Sequence, residues 1–202
     1  MLRKQDEIFL QTLATFINPK PRLEQYPTPP EIAAKFLNMA YKDIKGKVVF
    51  DLGCGTGVLS IGAAILGAKF VVGVDIDLEA LKVAKRNLLL ADEIYGKLPV
   101  YFINADVRVF NFKCDTVIMN PPFGMQRKGA DREFIECAIR GAKVVWTLLG
   151  ANSDPFLDKL SKIYGFSFER KGDVVFKIRR SMGFHKRDIY KTRVSIYRIS
   201  LP

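Results

Sequence analysis

Hydrophobic residues along the chain form short continuous runs that alternate with segments in which they recur every three or four positions. The continuous runs occupy residues 48–52, 70–75, 99–104, 116–119 and 143–146, and the periodic segments occupy 58–66, 78–91, 130–141 and 154–164. The continuous runs predict strands that are buried on both faces, and the periodic segments predict helices that cover them. This alternation predicts an α/β fold built on a mostly parallel sheet.

The two ends of the chain follow other patterns. A short amphipathic helix is predicted over residues 5–17, and the prolines of 18–22 predict an extended connection after it. We interpret Thr28 as the N-cap of a second helix, with Pro29 in the first helical position and Glu31 completing a capping box. Apolar segments at 166–169, 174–178 and 193–199 lack intervening helices, so the sheet should end in an antiparallel element.

Length and composition fit one domain over residues 1–202, comprising a helical extension (1–45), a βα core (46–150) and a basic C-terminal helix with strands (151–202). No run approaches the ~20 apolar residues of a membrane span. The N-terminus lacks an apolar signal and the three cysteines cannot all pair with one another, so we expect a cytoplasmic protein with reduced thiols. Their spacing, with one histidine in the chain, predicts no metal site.

The charge of the chain is concentrated at its C-terminal end. The formal net charge is +11, and residues 151–202 carry 12 basic and 5 acidic side chains, a net +7. An anionic polymer such as nucleic acid is the natural partner of such a segment. The alternatives are a solvated basic face or thermophile-type surface charge, although ion-pair networks would need matching acids.

A glycine-rich turn follows the first strand of the core. Residues 51–57 read Asp-Leu-Gly-Cys-Gly-Thr-Gly and open a helix, and Asp75 ends the next strand. Glycines allow backbone N–H groups to approach a nucleoside cofactor, and an acid in the position of Asp75 can accept from ribose hydroxyls. Asp51 would repel a pyrophosphate but suits an ammonium and a sulfonium, which favours S-adenosylmethionine over NAD or FAD. The alternative is a glycine turn that merely closes a βα corner.

A second motif, Asn120-Pro121-Pro122-Phe123, stands at the end of the fourth strand. Strand ends of one sheet edge share a crevice, so this loop should face the glycine turn. The prolines have no N–H, which leaves the Asn120 side-chain oxygen and the Pro121 carbonyl as acceptors for a planar amino group, with Phe123 stacking on the substrate. Alternatives are a rigid turn without chemistry, or cytosine C5 methylation, which needs a cysteine that this loop lacks.

Together these motifs resemble those of the class I S-adenosylmethionine-dependent amino-methyltransferases. A narrower resemblance rests on residues 23–28 (Leu-Glu-Gln-Tyr-Pro-Thr), 118–124 and 184–186 (Phe-His-Lys), which are similar to the small-subunit ribosomal RNA adenine-N6 methyltransferases of archaea and eukaryotes. The resemblance implies a Rossmann-like domain with a seven-stranded, mostly parallel sheet, an antiparallel C-terminal strand and helices on both faces.

The resemblance also implies roles for individual residues. Those expected to bind the cofactor are Gln25 and Thr28 at its methionine end, Gly53, Gly55, Thr56 and Val58 around the turn beside Asp51, Asp75 at the ribose, and Asp106 and Val107 at the adenine. Asn120, Pro121, Pro122 and Phe123 are expected to take the target base. The C-terminal segment is expected to approach RNA through Arg179, Arg180, His185, Lys186 and Arg187.

A partner protein is implied as well. The family pairs with a small zinc-binding activator protein through an edge strand, and the predicted third strand is apolar on both faces at Val100, Tyr101, Phe102 and Ile103. An uncovered apolar edge favours addition of a partner strand, unless a loop or helix of the same chain covers it.

The resemblance therefore predicts N6-methylation of an adenosine in RNA, specifically in small-subunit ribosomal RNA. Other functions share the same motif and stay open. They are glutamine N5-methylation of a protein, adenine methylation of DNA, guanine-N2 methylation of RNA, and a non-catalytic role in RNA assembly.

Overall fold

The computed structural model describes residues 1–124, 127, 129–179 and 189–202, and the side chains of 177–179 and 189–190 are outside this description. The helices are α1 (Lys4–Thr12), α2 (Pro30–Met39), α3 (Tyr41–Ile44), α4 (Val58–Ile65), α5 (Leu78–Tyr95), α6 (Ala130–Gly141) and α7 (Asp154–Tyr164). The strands are β1 (Val48–Leu52), β2 (Phe70–Asp75), β3 (Val100–Asn104), β4 (Cys114–Met119), β5 (Ala142–Gly150), β6 (Ser167–Arg179) and β7 (Ile189–Ser200).

The strands form one seven-stranded sheet in the order β3-β2-β1-β4-β5-β7-β6. The first five strands of this order are parallel, whereas β7 runs antiparallel to both β5 and β6. The predicted Rossmann-like architecture with its antiparallel C-terminal element is therefore confirmed. Residues 167–169 and 174–178, predicted as two strands, belong to one strand, β6, which contains an irregularity between Arg170 and Gly172.

Helices pack on both faces of the sheet, which explains why its central strands are continuously apolar. Successive residues of β4 point to opposite layers. Ile118 belongs to a core that includes Phe36 of α2 and Ile61 of α4, whereas Met119 belongs to a second core that includes Ile135 of α6. Within the described part of the chain, no helix is long and apolar enough to cross a membrane.

Two N-terminal predictions are wrong. The first helix ends at Thr12 rather than near residue 17, and the segment that follows crosses to the carboxyl ends of the strands. The second helix begins at Pro30, and Thr28 does not cap it. Pro29 instead takes an extended conformation with φ −56° and ψ 137°, because a residue that precedes a proline avoids the helical region.

The third strand lies at one edge of the sheet, as the sequence predicts. Tyr101 and Ile103 project from the same face of β3 and are 54% and 39% exposed. The Tyr101 ring stacks on Phe70 with 4.6 Å between centroids. This edge therefore carries exposed apolar side chains next to its unpaired backbone groups.

Candidate active site

Two adjoining cavities open at the carboxyl ends of β1, β2 and β4. The larger has a volume of 410 Å³ and the smaller one of 30 Å³. Of the residues predicted from the sequence, the larger cavity is lined by Gln25, Gly53, Gly55, Asp75, Asp106, Val107, Asn120 and Pro122. The smaller cavity is lined by Thr28, Asp51, Gly53, Gly55, Thr56, Val58 and Asn120. The structure thus brings both motifs to one crevice, and the larger cavity is of a size typical for cofactors.

The glycine turn requires glycine for two reasons. Gly53 and Gly55 have φ values of +71° and +53°, in the left-handed region that side chains rarely adopt. A Cβ atom on Gly55 would also lie 2.7 Å from the ring of Phe16, and one on Gly53 would lie 2.9 Å from the ring of Phe134. These two aromatic rings lie directly against the turn and line the larger cavity.

Asp51 is buried at the base of the turn. Its Oδ2 accepts a 2.6 Å hydrogen bond from Ser60 Oγ, whereas no described residue donates to its Oδ1. Burial, assisted by the nearby charge of Asp75, raises the pKa of Asp51 to about 7. An ammonium group at the cavity would supply both the missing donor and a compensating charge, which fits the amino-acid end of S-adenosylmethionine.

Asp75 lies at the end of β2 and holds the turn in place. Its two carboxylate oxygens accept 2.8 Å hydrogen bonds from the backbone N–H groups of Gly55 and Asp77. Burial raises the pKa of Asp75 despite these donors. Each carboxylate oxygen retains a further lone pair, so the carboxylate can still accept from a ribose hydroxyl.

Hydrogen bonding to Asp77 restricts the rotation of the Gln25 side chain. The Gln25 side chain donates a 2.7 Å hydrogen bond to Asp77 Oδ2, and its oxygen accepts from the Lys20 backbone N–H at 2.7 Å. Lys20 Nζ also lies 2.5 Å from Asp77 Oδ1. This network fixes the N-terminal segment over the crevice, with Gln25 in the cavity wall.

Asp106 pairs with a neighbouring guanidinium. Its carboxylate accepts from Arg108 Nε at 2.9 Å, and hydrogen bonds from Arg108 hold the pKa of Asp106 below its ordinary value. The resemblance places this carboxylate at the amine of the cofactor adenine. In the structure it lies in the wall of the larger cavity.

The second motif places Asn120 between the two cavities. Asn120 Nδ2 donates a 3.0 Å hydrogen bond to Thr28 Oγ1, and Asn120 Oδ1 is buried without a donor among the described residues. Pro121 is buried and Pro122 lines the larger cavity. Phe123 packs edge-on against Phe176 of β6, with 6.0 Å between ring centroids.

The predicted RNA contacts fall largely outside the described part of the chain. Arg180, His185, Lys186 and Arg187 are not among the described residues, and for Arg179 only the backbone at the end of β6 is described. The backbone pairing nevertheless places the two strand ends that flank residues 180–188. Gly150, the last residue of β5, pairs with Val194, whereas the pairing of β6 with β7 continues to Arg179 and Ile189. The β6–β7 hairpin, described as far as Arg179 and Ile189, therefore extends roughly 17 Å beyond β5, on the edge that carries the cavities.

The structure adds residues that the sequence did not indicate. Phe16 lines both cavities, and Phe134 of α6 lines the larger one. Asn87 of α5 is buried, and it holds the backbone of Ala14 through two 2.9 Å hydrogen bonds while donating to the carbonyl of Thr56. Periodicity gave no signal for these contacts because each joins segments that are distant in sequence.

The sheet order, the glycine turn between the carboxylates of Asp51 and Asp75, and the Asn-Pro-Pro-Phe loop together define a class I methyltransferase that uses S-adenosylmethionine. A family model for ribosomal protein L11 methyltransferase (PrmA) matches residues 31–121. No group of three or more potential metal ligands occurs in the part of the chain that the structure describes.

Comparison with known proteins gives the family. The chain is 36% identical to rRNA N6-adenosine-methyltransferase Mettl5 of Drosophila melanogaster, over 99% of this chain and 96% of that protein. It is also 36% identical to METTL5 of Danio rerio, over 99% of both chains. A crystal structure of a candidate RNA methyltransferase from Pyrococcus horikoshii has 42% identity and a TM-score of 0.86, covering 99% of this chain and 96% of that one. The chain belongs to the METTL5 family of rRNA N6-adenosine-methyltransferases.

Proposed function

We propose that this protein transfers a methyl group from S-adenosylmethionine to N6 of an adenosine in ribosomal RNA, specifically RNA of the small subunit. The observation that carries the proposal is the Asn120 amide. Its oxygen is buried at the junction of the two cavities, and no described residue donates to it. A buried acceptor without a partner costs about 1–3 kcal/mol, and an amino group of the substrate would supply the missing donor.

The chemistry follows from what the loop can offer. Asn120 Oδ1 and the Pro121 carbonyl accept the two hydrogens of the adenine amino group and draw its nitrogen toward tetrahedral geometry. The cofactor supplies the methyl group when it is bound. Phe123 stacks on the base, and its edge-on contact with Phe176 holds the ring beside the loop. The nitrogen becomes acidic as its charge develops, so it can release its proton late to solvent.

The position of the C-terminal hairpin supports RNA as the substrate. The hairpin extends past the sheet edge that carries Asn120, and Phe176 on β6 touches the loop itself. Residues 151–202 carry a net charge of +7, out of +11 for the whole chain. Basic side chains beside the target base would bind the flanking phosphates, with Arg179, Arg180, His185, Lys186 and Arg187 as the proposed contacts.

The test is methyl transfer from labelled S-adenosylmethionine to purified small-subunit and large-subunit ribosomal RNA, followed by nucleoside analysis. We expect N6-methyladenosine in small-subunit RNA. Asn120→Ala should abolish the signal with an unchanged circular dichroism spectrum, whereas Asn111→Ala, an exposed asparagine outside both cavities, should retain it. Label that appears only in protein, or as N2-methylguanosine, would contradict the proposal.

We also propose that β3 pairs with a small zinc-binding activator protein. Its exposed Tyr101 and Ile103, next to unpaired backbone groups at the sheet edge, support this arrangement. The chain would be poorly soluble or weakly active by itself and would gain activity when co-expressed with such a partner. A purified chain that is monomeric and fully active without any partner would refute this part of the proposal.

A cytoplasmic location is part of the same proposal. Cys54, Cys114 and Cys137 are all buried and free. Unpaired thiols are typical of a reducing compartment. Such a compartment is also where the protein would encounter the ribosomal RNA of an assembling or mature subunit. Fractionation of the source cells, with the chain followed by immunoblot, tests the location.

A further inference from the structure

Thr28 occupies an unusual position between the N-terminal extension and the catalytic loop. It is 6% exposed, it does not cap α2, and its hydroxyl contacts a side chain 92 positions away in the sequence. That side chain is Asn120, whose Nδ2 donates to Thr28 Oγ1 at 3.0 Å. The resemblance assigns Thr28 to the cofactor, so this contact calls for a separate explanation.

An asparagine amide has one accepting end and one donating end, and a half-turn about its last bond exchanges them. With Nδ2 held by Thr28, Oδ1 is the atom that remains buried without a described donor. The opposite orientation would present the Asn120 NH₂ group to the amino group of a substrate, so that two donors would face each other. Only one of the two orientations can bind an amino substrate.

We propose that Thr28 is a positioning residue that holds the Asn120 amide in place for the reaction: its hydroxyl accepts from Nδ2 at 3.0 Å, which leaves Oδ1 to accept from the substrate amino group. The inference rests on the proposed transfer to an amino nitrogen. Thr28 acts on the reaction through Asn120, in addition to any contact with the cofactor.

The surroundings of Thr28 suit this role. Thr28 stands between Pro27 and Pro29, and Pro30 begins α2. Prolines fix their own φ and restrict the residue that precedes each of them, so the backbone around Thr28 has little freedom. The branched Thr28 side chain is itself restricted about χ1. The hydroxyl is therefore held within hydrogen-bonding distance of Asn120 Nδ2.

The first test separates positioning from cofactor binding. Thr28→Val keeps the shape of the side chain but removes the hydroxyl, and Thr28→Ser restores it. We expect Thr28→Val to lower kcat roughly 10- to 100-fold, the equivalent of one buried hydrogen bond. Its Kd for S-adenosylmethionine should stay within about twofold of the wild-type value. Thr28→Ser should recover most of the lost kcat.

Thr147→Val is the matched control. Thr147 of β5 is also buried, and no described residue bonds to its Oγ1, so its variant should keep both kcat and Kd. A Thr28→Val enzyme with wild-type kcat would overturn the proposal. A raised Kd with unchanged kcat would also overturn it and would assign Thr28 to the cofactor alone.

A second test needs no substrate. Nuclear magnetic resonance of the protein labelled at asparagine side chains, with Asn120 identified by the signal missing from Asn120→Ala, reports on the Nδ2 protons directly. We expect slow hydrogen exchange in the wild type and in Thr28→Ser, and faster exchange with a shifted resonance in Thr28→Val. Identical spectra would refute the positioning role. A wild-type enzyme that makes no N6-methyladenosine would instead refute the proposed function and leave this measurement intact.

Discussion

Asp51 should control how cofactor binding depends on pH. Its carboxyl group is buried, its Oδ1 lacks a donor among the described residues, and its pKa is raised to about 7. An ammonium group binds the ionised carboxylate better than the protonated one. Cofactor affinity should therefore follow the fraction of protein molecules in which Asp51 is ionised. Asp51→Asn keeps the shape of the side chain and its acceptor for Ser60 while it removes the charge. We expect this variant to bind S-adenosylmethionine weakly at every pH.

The magnitudes follow from the shifted pKa. A carboxyl with a pKa of about 7 is roughly one-tenth ionised at pH 6 and nine-tenths ionised at pH 8. The wild-type Kd should therefore be roughly tenfold higher at pH 6 than at pH 8. Loss of a charge-assisted hydrogen bond of about 1.5–3 kcal/mol should raise the Kd of Asp51→Asn roughly 10- to 100-fold at pH 8.

The stability of the cofactor-free protein should change with pH in the direction opposite to the cofactor affinity. A raised carboxyl pKa means that the native state binds more protons than the unfolded state between about pH 4 and pH 7, so stability falls as pH rises through that window. The cost at pH 8 is on the order of 4 kcal/mol at most. Asp51→Asn removes this cost, and the variant should unfold at a higher temperature than the cofactor-free wild type.

Isothermal titration calorimetry with S-adenosylmethionine and S-adenosylhomocysteine from pH 5.5 to 8, together with thermal unfolding of the cofactor-free protein, tests both expectations. Asp158→Asn, at an exposed acid on α7 that pairs with Lys162, is the control. Equal Kd values for wild type and Asp51→Asn, or a variant that is less stable at pH 8, would refute the reasoning.

Three further predictions concern the surroundings of the site. Phe16→Ala should raise the Kd of S-adenosylmethionine roughly tenfold, because it loses apolar contact worth about 1.4 kcal/mol. Ile17→Ala, at an exposed neighbouring residue, should leave this Kd unchanged, and calorimetry measures both values. Replacing Tyr101 and Ile103 with lysine should abolish co-purification with an activator protein without changing the unfolding temperature, and retained co-purification would contradict it. Neutral substitutions of Arg179, Arg180, Lys186 and Arg187 should weaken RNA binding and leave cofactor affinity unchanged. They should also reduce the slope of log K for RNA against log salt concentration by up to about 3, which filter binding at several salt concentrations would measure.

The sheet could be predicted from the sequence because its evidence is local. Strands that are buried on both faces must be apolar at every position, and those of β1, β2 and β4 are nearly so. The N-terminal helices were predicted less well. The Thr-x-x-Glu pattern at Thr28 is typical of a capping box, but the proline at position 30 excludes the helical conformation for Pro29. The length of α1 was overestimated because the contact of Ala14 with Asn87 is a tertiary one.

The candidate site shows the same division between local and distant evidence. Asp51, Asp75 and Asn120 are marked by sequence motifs, and the structure brings them to one crevice. Phe16 and Phe134 complete its walls, but an aromatic residue at such a position reads like any other core residue. What could not be predicted is how the N-terminal segment folds back over the glycine turn, since this depends on side-chain pairs such as Lys20 with Asp77.

Buried polar atoms without partners identify the site more sharply than either motif does when their residues also line a cavity. Asp51 Oδ1, Asn120 Oδ1 and Thr147 Oγ1 are all buried with no partner in the described chain. Thr147 lines neither cavity, so an unpaired buried atom alone does not make a site. Asp51 and Asn120 both line the smaller cavity, where each would cost about 1–3 kcal/mol if no ligand supplied a donor. Two residues that line one cavity therefore each hold an acceptor to which no described residue donates. In the proposed reaction an ammonium of the methyl donor would satisfy Asp51 and an amino group of the methyl acceptor would satisfy Asn120, the two ligands that an amino-methyltransferase holds together.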